Sequence, residues 1–299
     1  MTFLDIGWGG EAERVHAALE DLGWGALDGH DLGAGLIPAR SGPSKAGALL
    51  ASPLGLVTRL ARGTIIGWSI GITLGAVAIG SLLGSVADLA DDEVIQEFLH
   101  QLGGSAGTIE DIFVATEVRF VAVAVAAAGV ALLLRLVGAE RGGLGEVVLT
   151  TPVSRTRWYA AHVALSLVLV TALMALFGLV LGVVGSAVTP LAPSVGAAVG
   201  AALSTVPAIW VVVGVAALLC GALPRVAPLA WGVLLVAFVV GELGTTMNLP
   251  SWVIDASPFA HLSQLPGGEF EPVPAVWLTL IAAALIVAGW AAYRRRDAV

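Results

Sequence analysis

The sequence predicts an all-α membrane protein: a bundle of six transmembrane helices with further helices on its cytoplasmic side. Three observations carry that expectation. Hydrophobic residues fill 58% of the 299 positions and charged residues only 12%, with a mean hydropathy of +0.94; a soluble domain is about a quarter charged. The apolar residues fall in blocks of about 20, and a helix of that length rises about 30 Å, the thickness of the hydrocarbon layer. In hydrocarbon every backbone polar group needs an internal partner, so such blocks are helices. Third, the sparse charges change sign from one connecting loop to the next, as the two sides of a membrane require.

Residues 1–48 are acidic and glycine-containing, without a clear period, and are expected to be a loosely ordered cytoplasmic segment. Residues 1–31 hold seven Asp/Glu against Arg14, the wrong sign for the start of a secretory signal. In 49–63, LLASPLGLVTRLARG, residues Leu50, Leu54, Val57 and Ala61 share one helical face, with Ser52, Thr58, Arg59 and Arg62 off it. That pattern predicts an interfacial helix on the cytoplasmic leaflet. Spans are then expected at about 64–83, 120–137, 160–188, 197–220, 229–247 and 274–292, within a permease domain of 64–292.

Orientation follows from arginine and lysine, which are retained in short cytoplasmic loops. Arg40, Lys45, Arg59 and Arg62 precede the first span; Arg135, Arg141, Arg155 and Arg157 surround the second connection; Arg225 sits in the fourth. The basic tail, 293–299, contains Arg294, Arg295 and Arg296. On the other side, 84–119 has eight acids against Arg119, and 248–272 has three acids and no Lys or Arg. Both termini are therefore expected in the cytoplasm of a multi-pass cell-membrane protein. Within 84–119, Val94, Ile95, Phe98, Leu99 and Leu102 predict an amphipathic helix over 90–104 closed by Gly103. Thr108 with Asp111 predicts a capping box for a helix running into the second span.

Glycines recur every four residues at Gly67, Gly71 and Gly75, at Gly178 and Gly182, and at Gly196 and Gly200. Each set makes a smooth ridge where another helix can approach, so these are candidate packing positions. The lone Cys220 excludes an intramolecular disulfide and a cysteine-rich metal site, and reads as a buried thiol. Among the tryptophans, Trp252 and Trp290 are expected at the interfaces, Trp158 at the cytoplasmic one, and Trp210 and Trp231 in packing. No metal site and no nucleic-acid partner are expected; the net charge of −8 says little as a sum, because the charge is distributed by side of the membrane.

The stretch GAERGGLGEVVLTTPVSRTRWYAAH, 138–162, interrupts this apolar pattern with three arginines and two glutamates. Leu144, Val147 and Val148 form a short apolar face, and Thr151 followed by Pro152 is a helix start. The residues alone admit a solvated basic loop or a short helix along the membrane offering itself to a cytoplasmic partner. Its pattern resembles the cytoplasmic coupling segment of type-2 ATP-binding-cassette exporter permeases: an Arg/Glu entry, Gly-x-Glu, two aliphatics and Pro-Val-Ser-Arg before the next span. Here these are Glu140, Arg141, Gly145, Glu146, Val148, Leu149, Pro152, Val153, Ser154 and Arg155. DLGAGLIPARSGP (31–43), the helix after it, and SPFAHLSQLPGGEF (257–270) further resemble the C-terminal half of polyketide-antibiotic exporter permeases, over roughly 31–296.

That resemblance implies a six-span permease subunit with a coupling loop at 138–158. Glu140, Arg141, Glu146, Ser154 and Arg155 would contact a separate ATPase subunit, with Gly145 and Pro152 setting the backbone. Such exporters usually carry two six-span halves, so a second half, as a homodimer or a split first half, is implied. No Gly-x-x-x-x-Gly-Lys-Ser/Thr loop occurs and the only lysine is Lys45, so ATP and magnesium are expected in the partner rather than on this chain. The implied cargo is a hydrophobic or amphipathic compound. Three other readings compete. GWSIG (67–71) matches the Gly-x-Ser-x-Gly of hydrolases around Ser69, yet it falls inside a span and neither His162 nor His261 is an obvious base for it. A secondary transporter would use ionisable groups within spans, and only Arg135 and Glu242 lie there, both near ends from which they can snorkel. A non-transporting assembly protein is the third.

Overall fold

A computed structural model describes residues 52–88, 108–142 and 154–296, all within the second of two compact units, Gly47–Val299. The expected amphipathic helix at 90–104, most of the coupling loop and nearly all of the N-terminal segment lie outside the described residues. Among the described residues every element is helical.

Helix α1, Pro53–Asp88, runs unbroken for 36 residues, about 54 Å. Ser52 starts it, its Oγ accepting from the Gly55 N–H at 3.1 Å, with Pro53 in the first turn. The separate interfacial helix expected up to residue 63 is thus the opening of the first span. No proline breaks the chain there, and Val57 and Ala61 are buried in the core rather than lying on a lipid face.

Helix α2, Ile109–Arg141, begins at the expected capping box: Thr108 Oγ1 accepts from the Asp111 N–H at 3.3 Å, and Asp111 accepts from the Thr108 N–H at 3.2 Å. It is the central helix, with Ala122, Val125, Ala126, Ala128, Leu132 and Leu133 buried. Helix α3, Arg155–Val188, is capped by Ser154, whose Oγ accepts from the Arg157 N–H at 3.4 Å.

The expected fourth span is two helices, α4 (Val195–Ser204) and α5 (Val206–Ala222), parted at Thr205. Pro207 supplies no N–H and crowds the preceding turn. The carbonyl this strands is that of Leu203, and in the turn before it side chains add bonds to the backbone, Ser204 Oγ to Ala201 O at 2.7 Å and Thr205 Oγ1 to Ala202 O at 2.8 Å.

The expected fifth span is shorter than predicted. A 3-10 turn, Ala227–Leu229, leads into α6, Ala230–Leu243, which ends where Gly244 begins a series of turns. After the short α7, Ser251–Ile254, and a second 3-10 turn, Pro258–His261, the last helix α8 spans Pro272–Arg295. Five helical stretches are therefore long and apolar enough to cross a membrane, α4 and α5 counting as one, together with one shorter apolar helix. This is a multi-pass membrane protein.

The segment 251–261 is not a solvated loop. Phe259 is fully buried, and Ser257 Oγ donates to Ala237 O, six residues inside the end of α6, at 2.7 Å. Irregular backbone tucked against protein in this way keeps its polar groups satisfied at membrane depth. Around central α2, α8 packs along α5, and α1 and α4 along α3; α6 touches α2 and α5 less extensively.

Candidate functional site

The site is built where four helix ends meet beside the 143–153 segment. Glu140, in the last turn of α2, accepts from Arg296 Nη2 at 2.6 Å and from the Tyr293 hydroxyl at 2.7 Å. Arg296 also donates to Cys220 O at 3.3 Å, at the end of α5, and its guanidinium lies 5.2 Å over the Tyr293 ring. Arg155, opening α3, donates to Arg296 O at 3.3 Å. Tyr293 stacks on Tyr159 at 5.0 Å, and the Tyr159 hydroxyl donates to Ala217 O at 3.0 Å. Arg141 reaches the turn after α5, donating to Pro224 O at 3.0 Å. A charge-assisted knot thus fastens both ends of the 143–153 segment to α5 and α8.

Of the residues expected to face an ATPase, Glu140, Arg141 and Arg155 are therefore engaged within the chain, and Ser154 caps α3. Gly145, Glu146 and Pro152 lie outside the described residues. Tyr293, Arg296 and Tyr159 are parts of this site that sequence reasoning missed. The signal was the 294–296 arginine run, whose last member is a structural counter-ion as well as a topology marker.

The glycines divide. A Cβ on Gly178 would sit 2.7 Å from Ala198 O and Val199 Cα, and one on Gly182 would sit 2.7 Å from Val195 Cα, so α4 lies directly on that ridge. Gly67, Gly71 and Gly75 have nothing within 4 Å of a would-be Cβ, and neither have Gly196 and Gly200. The closest helix crossing, of α8 on α5, uses Gly214, Gly221 and Gly289 instead.

The two ionisable residues read as snorkelling are both held by neighbouring helices. Glu242 accepts from Arg119 Nε at 3.0 Å, tying α6 to α2. Arg135 donates to Thr64 Oγ1 at 2.9 Å and to Leu60 O at 3.0 Å on α1. With Val57, Leu132, Trp158 and His162 it borders a cavity of about 310 Å³. Trp158 is buried there instead of anchoring at an interface, while Trp231 is 42% exposed instead of packed.

The serine of GWSIG sits in mid-helix, its carbonyl accepting from Thr73 Oγ1 at 2.7 Å, without the strand and tight turn that motif needs. His162 Nδ1 bonds Trp158 O and His261 Nε2 bonds Asp255 O. Neither of these two histidines pairs with Ser69, so among the described residues no histidine serves it as a base.

Comparison with known proteins matches residues 50–294 to the family described as the multidrug efflux system permease Rv1217c, C-terminal domain. The chain belongs to this family. The multidrug efflux system permease protein Rv1217c of Mycobacterium tuberculosis (strain ATCC 25618 / H37Rv) is 36% identical over 283 residues, which cover 94% of this chain and 52% of the relative. The chain thus spans about half the length of the relative it matches. In this member of the Rv1217c C-terminal domain family, the matched region includes α2, α3, α5 and α8 as far as residue 294, with Arg296 of the knot just beyond it.

Proposed function

We propose that the chain is one membrane-spanning half of an ATP-binding-cassette exporter, a transport subunit that moves a hydrophobic or amphipathic compound out of the cell. A separate ATPase subunit binds ATP and magnesium and docks on the 138–158 segment. A second half of similar size, another copy or a different chain, completes the path. The half-length match to a relative named as an efflux permease supports the two-half arrangement. The observation that carries the coupling role is the knot itself. A mechanical signal entering at 143–153 needs both ends of that segment fixed to the bundle, and Glu140, Arg141 and Arg155 fix them. In this reading those three residues position the segment, and Glu146 makes the direct contact with the ATPase.

The test is co-purification of the full chain, from the membranes of its own host, with an ATP-binding-cassette ATPase. Glu146→Arg combined with Arg155→Glu abolishes co-purification while membrane insertion persists. Co-purification that survives the double change, or labelling of Ser154→Cys from outside intact cells, overturns the reading.

A further inference from the structure

Beside the knot lies a cleft of about 630 Å³ between the end of α2, the turn after α5 and the end of α8, bordered by Glu140, Arg141, Arg225 and Arg296 over Val137 and Leu223. Its charge is unbalanced. Glu140 and Arg296 neutralise one another. Among the described residues Arg141 is tied to a backbone carbonyl, at Pro224, and neither it nor Arg225 has an ion-pair partner. Two guanidinium groups that no described carboxylate pairs therefore border the same cleft.

The floor of the cleft is apolar and leads on. Val226, which borders it, is joined through a 3-10 turn to Leu229, whose N–H donates to Val226 O at 2.8 Å. Leu229 opens a second, almost wholly apolar groove of about 580 Å³ between α5 and α6, which continues along Gly232, Val233, Val236 and Val240. Leu223, Leu229 and Val236 are 56%, 62% and 61% exposed, so this face is covered by no other part of the described chain. From Leu229 to Val240 the helix rises about 16 Å, close to half of the roughly 30 Å hydrocarbon layer. A cationic mouth therefore stands at the head of an apolar channel one leaflet deep.

We propose that this cleft and groove hold one anionic phospholipid of the arginine-side leaflet. Its phosphate sits between Arg141 and Arg225, and its acyl chain lies along Leu229, Val233 and Val236. The charge complements the head and the depth matches the tail; an acidic protein segment would use the first and leave the second empty. The inference rests on the chain spanning the bilayer and is independent of ATPase coupling, because its test contains no ATPase.

The full chain is purified in detergent, delipidated, and titrated with phosphatidylglycerol or phosphatidylcholine while bound lipid is counted by native mass spectrometry. One phosphatidylglycerol per chain is expected, held at least fivefold more tightly than phosphatidylcholine. Arg225 is exposed and has no ion-pair partner among the described residues, so Arg225→Gln folds normally; it is expected to lower the phosphatidylglycerol affinity about fivefold, the weight of one basic group near a phosphate. Arg59→Gln, on α1, leaves the affinity unchanged. Gly232 has nothing within 4 Å of a would-be Cβ, so Gly232→Leu fills the groove without a clash and weakens lipid retention. Four results overturn the proposal: equal retention of the two lipids, indifference to Arg225→Gln, competition by soluble glycerol phosphate as strong as by the lipid, or a lipid-free dimer that Gly232→Leu dissociates.

Discussion

Replacing Gly289 by alanine adds one methyl group at the tightest crossing in the bundle. Its Cβ would stand 2.5 Å from the Tyr159 hydroxyl and 2.9 Å from both Ala217 O and Leu218 Cα. Relaxed heavy-atom contacts lie near 3.5 Å, so α8 must retreat from α5 by about 0.6 Å and the Tyr159 hydroxyl on α3 must give way by about 1 Å. Overpacking of this kind costs about 1–3 kcal/mol. Tyr159 also loses its bond to Ala217 O, for about 1 kcal/mol more, while alanine's better helix propensity returns about 1 kcal/mol. Gly67→Ala is the control: it gains the same propensity and meets nothing within 4 Å. The two variants therefore differ by about 2–4 kcal/mol. At about 2–4 °C per kcal/mol for a chain of this size, Gly289→Ala melts about 4 °C or more below Gly67→Ala. The assay is the soluble fraction after heating in detergent, read by size-exclusion chromatography. Equal melting, or Gly289→Ala melting higher, refutes the crossing described between α5 and α8.

The two charge ties give further predictions. Glu140→Gln and Tyr293→Phe each destabilise by about 1–2 kcal/mol, and the double variant costs less than their sum, because the two side chains share one bond; thermal melting of all four proteins measures the coupling. Glu242→Gln leaves Arg119 unpaired between α2 and α6, where its side chain is only 17% exposed, and costs about 2–3 kcal/mol. Replacing both Glu242 and Arg119 by leucine restores most of that, and a double variant as unstable as the single one argues against a direct pair.

Much of this fold was legible in the sequence because hydrocarbon imposes a simple rule on apolar length. The second span was placed together with its cap, since Thr108 and Asp111 have one geometry in which both are satisfied. Glycine spacing was a weaker guide. It says that a helix can be approached and not what approaches: Gly178 and Gly182 meet α4, while the more regular Gly67, Gly71 and Gly75 face no part of the described chain. The helix break at Thr205 was visible in the sequence as Pro207 and was overridden by continuous hydrophobicity. Charges marked sides of a membrane but hid their partners. Arg119 and Glu242 lie 123 positions apart, and Glu140 and Arg296 lie 156 apart, so only the bundle brings them together. For the same reason the residues of the 138–158 stretch read as outward contacts, whereas three of them grip the chain's own helices.

The grip of Glu140, Arg141 and Arg155 decides how load spreads through the protein. A push on the short run joining α2 to α3 cannot bend that hairpin alone, because the carboxyl-terminal helix and the end of α5 are yoked to it. In the proposed coupling those four helices take the load together with α1, which is packed along α3 and bonded to Arg135, whereas α6 takes it chiefly through one charged tie, Arg119 to Glu242.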